Sequence, residues 1–267
     1  MLKKYHNFRI DAPEDFADVV THFYVAQNGT TEAITKRLVP TFQTILVFNF
    51  GNLTKLISAA GSAVEVGKCV VLGPIKKGFD YCIPPNGALL VVNFKDDAFY
   101  RFFGEAMLHQ EFPTHPDALL PEHCFDYLWH QLAKLDTARA RVDQLLDFCR
   151  PYLRDRSDLA EQLANFQDET QNIVKAVAAE AELSERTIQK KHKQFFGFTA
   201  KEKNRYRRFL NTIKYLQQHN PPVDWQDVVF ELNYYDQSQL IHDFQFYLGI
   251  TPKQYLRFQQ DICVGNL

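Results

Sequence analysis

The pattern of apolar and polar positions changes twice along the 267-residue chain. Up to about residue 95 the apolar residues come in short runs rich in β-branched and aromatic side chains. "TFQTILVFNFG" (41–51), "SAVEVGKCVVLGP" (62–74) and "GALLVVNF" (87–94) are the clearest, and Gly51, Gly61, Gly67, Gly73, Pro74 and Gly87 punctuate them. Short runs with closely spaced turn signals predict several strands in a small barrel or sandwich. From Asp97 the spacing becomes helical. "DDAFYRFFGEAMLHQ" puts Phe99, Phe102, Phe103 and Met107 on one side, and "FDYLWHQLAKL" and "RVDQLLDFCRPYL" are further amphipathic helices, the last ended or kinked at Pro151. "RDRSDLAEQ" (154–162) is polar and marks a boundary. The predicted domains are therefore 1–154, β-rich over 1–95 and helical over 97–154, and an all-helical 155–267, which together make an α+β chain.

The helical half contains an internal echo. Shifted by 52 residues, "FFGFTAK" (195–201) lies on "YLGITPK" (247–253), Ile188 on Leu240, Ser184 on Asp236, Leu183 on Tyr235 and Val177 on Val229. Each copy opens with an apolar helix, "IVKAVAAEAE" or "DWQDVVFEL", followed by a tight turn. Ser184 and Asp236 are natural N-caps, because their side-chain oxygens can accept the first free N–H groups of the next helix. Gly197 and Gly249 are natural stops. Helix, tight turn, helix is the helix-turn-helix layout, predicted twice, over about 171–197 and 224–249. Lys201 to Gln218 reads as one long helix between the copies, broken by "NPP" (220–222).

Charge sharpens this picture. The net charge is only -2, yet Arg186 to Lys214 carries ten Lys/Arg against the single Glu202, a footprint for a polyanion. From Tyr215 to Pro252 there is no Lys or Arg, while Asp224, Asp227, Glu231, Asp236 and Asp243 are present. Such asymmetry predicts that the first copy and the long helix dominate the grip on a polyanion.

Other chemistry is thin. There is no G-x-S-x-G, phosphate-binding loop or dinucleotide fingerprint, so neither an enzyme nor a cofactor is expected. The five cysteines are scattered and odd in number, and the reading is reduced thiols in a cytoplasmic protein. His109, His115, His123 and His130 are irregularly spaced among prolines and show no convergence, so no metal is expected. Asp96-Asp97 reads as a pair of helix-start charges. The opening "MLKKYHNFRIDAPEDF" has no apolar h-region, and runs such as "ALLVVNF" are too short to span a bilayer. The aromatic wealth of residues 42–103 fits either an apolar ligand cavity or plain packing.

Residues 160–258 resemble the tandem helix-turn-helix domain of the AraC/XylS transcriptional regulators. "ELNYYDQSQLIHDFQFYLGITPKQYL" carries the resemblance, with Asp-Gln-Ser, the apolar pair Leu240 and Phe244, then Gly-x-Thr-Pro-x-x-Tyr. The first copy departs from the pattern: His192 stands where a buried Phe is usual, Ala200 where Pro is frequent, and Lys203 where Tyr is frequent. "LVPTFQTILVFNFG", "VVLGP" and "LLVVNFKDDAFYRFFG" resemble the barrel-like (cupin-like) sensory domain of some of these regulators. The resemblance implies double-stranded DNA as partner. RNA polymerase, a small-molecule effector and a second copy of the chain are further possible partners. It places Arg186, Thr187, Gln189 and Lys190 on the groove-facing side of the first recognition helix, with Lys191 and Lys193 nearer the phosphates. Gln237, Ser238, Gln239 and His242 are their counterparts in the second copy. The linker helix would supply Lys201, Lys203, Arg205, Arg207, Arg208 and Lys214 to the backbone between the grooves, and His192 would pack in the core.

Overall fold

The computed structural model describes residues 4–57, 61, 63–104, 106, 113–120, 122–166, 171–219 and 223–258. Met107, His109, Pro121, the 220–222 break and Cys263 lie outside them.

Among the described residues, nine strands form two antiparallel sheets. They are β1 (Tyr5–Asp11), β2 (Val20–Asn28), β3 (Ile34–Leu38), β4 (Ile45–Gly51), β5 (Thr54–Ile57), β6 (Ala63–Val66), β7 (Cys69–Leu72), β8 (Phe79–Ile83) and β9 (Gly87–Phe94). The five-stranded sheet runs β1-β2-β9-β4-β7 and the four-stranded sheet β3-β8-β5-β6. The unbroken apolar run of β4 has a simple cause: both faces of its sheet are covered. Ile45 and Val47 point into the core shared with Val66, Val70 and Ile83. Leu46, Phe48 and Phe50 point the other way, into a helical layer. β9 alternates in the same sense, with Leu89 and Val91 on one side and Leu90 and Val92 on the other.

That helical layer is α1 (Ala98–Phe103), α2 (Phe125–Ala133) and α3 (Ala138–Cys149). α1 is shorter than its apolar spacing predicts. It stops at Gly104, whose left-handed backbone (φ 78) lets its N–H reach the Tyr100 carbonyl. Asp97 stands at the N-cap of α1, the helix start expected of it. It is buried, and it accepts a 2.7 Å bond from the Arg156 guanidinium. The polar boundary segment is thus pinned to α1. The Arg154 carbonyl also accepts from Arg101 at 2.8 Å.

The remaining helices are α4 (Asp158–Asn165), α5 (Ile173–Glu180), α6 (Glu185–Phe196), α7 (Ala200–Gln218), α8 (Trp225–Glu231), α9 (Gln237–Leu248) and α10 (Pro252–Phe258). They share a separate core, which includes Leu163, Val177, Ile188, Phe209, Ile213, Leu240 and Phe244. Two of its members come from the β half: Val39 and Phe42 of the β3–β4 loop. Phe42 stacks on Tyr206 at 4.3 Å between centroids and meets Phe198 and Tyr247 edge-on at 5.1 and 6.3 Å. Around it, the Tyr206 hydroxyl donates to the Pro40 carbonyl, and Lys76 pairs with Glu202 at 2.9 Å. The last carbonyls of α9 accept from the other half: Tyr247 from the Gly78 N–H (3.0 Å) and Leu248 from Arg37 (3.2 Å). These are groups that a helix C-terminus leaves without intrahelical partners.

Gly197 and Gly249 end α6 and α9 with the same left-handed turn, φ 74 and 71, but their surroundings differ. A Cβ on Gly197 would lie 2.5 Å from the Ala106 carbonyl oxygen and 2.9 Å from Pro74, whereas one on Gly249 would meet nothing within 4 Å. Gly249→Ala is expected to lose the ~1–2 kcal/mol of a left-handed alanine. Gly197→Ala should lose clearly more, because it also separates the two halves. Thermal unfolding of both variants decides this, and equal losses would contradict the contact at Gly197.

Candidate nucleic-acid interface

The two echoed helices are built alike. The Ser184 hydroxyl accepts the Thr187 N–H at 3.1 Å, and the Asp236 carboxylate accepts the Gln239 N–H at 2.8 Å. Ile188 and Leu240 are buried at equivalent places, as are Phe195 and Tyr247. On α6 the outward face holds Arg186, Gln189, Lys190 and Lys193, all exposed. Positions 186, 189/190 and 193 recur at helical spacing, so four of the expected residues form one stripe. Thr187 is half-buried, with its hydroxyl 2.8 Å from that of Ser184. Lys191 runs toward the C-terminal end of α6, 3.3 Å from the Gln194 amide oxygen. On α9, Gln237, Ser238 and His242 are exposed. Gln239 is half-exposed, and its amide oxygen accepts the Tyr235 N–H at 2.9 Å, which ties it to the start of its own helix.

α7 differs from the expectation of a uniformly available basic helix. Arg205 donates to Asp243 at 2.6 Å and Arg208 to the other oxygen of the same carboxylate at 3.2 Å. Asp243 is 1% exposed. Arg205 also lies over the Phe246 ring (4.6 Å) and Arg208 over the Tyr234 ring (4.4 Å). Lys203 is half-buried, its ammonium 5.8 Å from the centre of the Phe196 ring, and burial pushes its pKa down. Arg208 is thus turned inward, to hold α9 on α7. Lys201 and Lys214 are the exposed cations of this helix. Asp243, counted above among the charges that oppose a polyanion, is neutralised inside the fold. The hint lay in the spacing: Arg205 and Arg208 are three apart on one helix, so both can reach one carboxylate.

Between α7 and α9 runs an open groove of about 950 Å³. Lys201, Arg207 and Arg208 line one side, and Ser238, Gln239 and His242 the other. The fold therefore brings the second-copy residues together with the linker helix. The N-terminal half approaches α6 near its C-terminal end, where the Gln194 amide reaches the Tyr100 hydroxyl at 3.4 Å and Phe195 meets the Tyr100 ring.

His192 sits in the core of the first unit with no exposed surface. Its Nδ1 is 2.8 Å from the Phe198 carbonyl oxygen and donates to it, while Nε2 has no protein partner. Burial lowers its pKa to about 4. Its ordinary value, which the unfolded chain keeps, is about 6.5. As pH falls through 6.5 toward 4 the unfolded chain takes up a proton that the folded chain refuses, so stability drops across that window, by up to about 3 kcal/mol. His192→Phe should flatten the acid side of a stability–pH curve between pH 6.5 and 4; an unchanged slope would remove His192 as its source. Asp243→Asn should lower stability on the order of 3 kcal/mol, because charged hydrogen bonds to two arginines are lost. A wild-type melting temperature in that variant would show that the arginines do not depend on it.

Residues 177–257 match a family described as a helix-turn-helix domain, and residues 8–111 match one described as a domain of unknown function, DUF6597. No curated protein matches the chain in sequence. Among solved structures, ToxT from Vibrio cholerae is 10% identical, covering 96% of this chain and 98% of that one at a TM-score of 0.38. Unsaturated-fatty-acid-bound ToxT of V. cholerae strain SCE256 is 13% identical, covering 92% and 98% at 0.37. An RmlC-like cupin protein from Desulfovibrio desulfuricans is 7% identical, covering 34% of this chain and 82% of that one at 0.28. No helix among the described residues is long and apolar enough to cross a membrane. The family match, together with the paired helices capped alike by Ser184 and Asp236, shows a helix-turn-helix domain over residues 177–257, carried behind an N-terminal antiparallel β domain.

Proposed function

We propose that the protein is a sequence-specific transcriptional regulator that reads two successive major-groove segments of double-stranded DNA. The observation that carries this is the pair of recognition helices, α6 and α9, built on the same cap, core and glycine stop and joined by α7. Arg186 and Lys190 have the geometry to donate to guanine O6 and N7, and Gln189 to bond an adenine edge. Lys193 and Lys201 fit phosphate contacts. Gln237, Ser238 and His242 offer polar base contacts without cationic help, and Gln239 keeps only its amide N–H groups for that purpose. Arg208 acts by holding α9 in place. Two helices entering successive turns on one side of a duplex lie about 34 Å apart.

The N-terminal domain, over residues 1–154, acts as the sensory part, taking a small-molecule effector or a second copy of the chain. Its contacts with α6, α7 and α9 support this role, because anything that moves the β3–β4 or β7–β8 loop also moves the reading helices. Phe230 and Tyr235, 83% and 92% exposed beside Asp227, Glu231 and Asp236, fit a contact with RNA polymerase better than one with DNA. A regulator of this kind works in the cytoplasm and carries no catalytic site.

Fluorescence anisotropy with selected genomic fragments, titrated against salt, tests the reading. Arg186→Glu and Lys190→Glu should each weaken binding far more than Gln239→Ala or His242→Ala. Each neutralised phosphate contact should flatten the salt slope by about 1. Equal losses from all four variants would sink the asymmetry, and the absence of salt-dependent duplex binding by the intact chain would sink the function.

A further inference from the structure

Two asparagines of α7 have no role in its packing. Asn204 and Asn211 are exposed, and their side-chain amides have no hydrogen-bond partner among the described residues. Asparagine is a weak helix former, so two of them inside a 19-residue helix cost stability that no contact offsets. Both line the open groove between α7 and α9. Arg208 lies between them, four positions after one and three before the other, so all three share a face of the helix. The Arg208 guanidinium is held by Asp243, which leaves the two amides free on that face. Across the groove stand Ser238, Gln239 and His242 of α9. The amides therefore look toward the same ligand as the second reading helix.

We propose that Asn204 and Asn211 clamp the two phosphate rows that flank the minor groove between the two major-groove segments, and so select a narrow, A·T-rich spacer. This rests on the DNA-reading function proposed above and extends it to base pairs that neither reading helix touches. The dimensions argue for it. α7 is about 28 Å long, close to the ~34 Å that separates helices in successive major-groove turns, and a minor groove lies between those turns. Seven positions along an α-helix put the two asparagines about 10.5 Å apart. A B-form minor groove is about 6 Å wide, so each amide can reach the phosphates on its own side. A wider groove carries one row out of reach. An amide N–H donates to a phosphate oxygen without adding charge, so the contact depends on where the phosphates lie. A-tracts narrow the minor groove, whereas the guanine N2 amino group projects into it. Glu231, exposed on the opposite wall, keeps the backbone on the α7 side.

Anisotropy titrations of the intact chain test this on a duplex selected from genomic fragments. The base pairs between its two protected major-groove segments are set to A·T, G·C or inosine·cytosine. Inosine·cytosine keeps the major-groove face of G·C but lacks the N2 amino group. The A·T and inosine·cytosine spacers should bind alike, on the order of tenfold tighter than G·C. Asn204→Ala and Asn211→Ala should each remove most of that difference and leave the salt slope unchanged, because no charge is lost. Lys201→Ala should do the reverse, flattening the slope by about 1 and keeping the preference. Equal binding of all three spacers overturns the inference and leaves the DNA-reading function standing. So does an inosine·cytosine spacer that behaves like G·C, or a preference that survives both asparagine variants. No duplex binding at all overturns both.

Discussion

The ring of Phe42 is the contact on which the arrangement of the helical half depends. It belongs to a loop of the β domain, yet it fills the space where α7, the end of α9 and the segment after α6 meet. Its backbone is left-handed (φ 56), an uncommon state for a bulky residue. Such a residue persists where the surroundings over-determine it. Here they do: a stacked and two edge-on aromatic partners surround the ring, and the neighbouring Pro40 carbonyl is held by Tyr206. The spacing of the two reading helices is therefore a property of the whole chain and not of the helical domain by itself.

A second constraint is how the chain distributes charge. The densest basic segment sits on α6 and α7, but the two helices use it differently. α6 leaves Arg186, Lys190 and Lys193 in water, on one stripe. α7 turns Arg205 and Arg208 onto a single buried carboxylate and lays Lys203 on an aromatic ring. A buried carboxylate needs partners of this kind, because desolvation alone would disfavour its charge. The second unit, lacking Lys and Arg of its own, is thereby tied electrostatically to the linker helix. The groove between them combines α7 cations with α9 polar groups.

Much of this was legible in the sequence, where local chemistry decides the structure. The Ser184 and Asp236 caps, the Gly197 and Gly249 stops and the buried Ile188 and Leu240 follow from spacing alone. The apolar run of β4 marks a strand in the sequence, while its two-sided burial depends on the helical layer that covers one face. What escaped depends on partners remote in sequence. Nothing near Phe42 announces Tyr206, and nothing near Asp97 announces Arg156. The cations of α7 read as solvated because their acceptor is thirty-five or more positions away. His115 and His130 lie apart in sequence, and only β7, packed against α2, brings Cys69 beside one and Lys68 beside the other. The patterns of β1, β2, β3, β5 and β8 are less continuous than those of β4 or β9 and mark no individual strand.

The bonds from Gly78 and Arg37 to the last carbonyls of α9 bear on how this protein can be dissected. A chain cut at the polar boundary near residue 155 would leave Tyr247 and Leu248 without those donors. It would also open the aromatic socket of Phe42 to water. An excised helical half is then a different object from the same residues in the intact chain: stickier, and free to let its two units drift apart. A cut between the β-rich half and the helical half runs through a shared core.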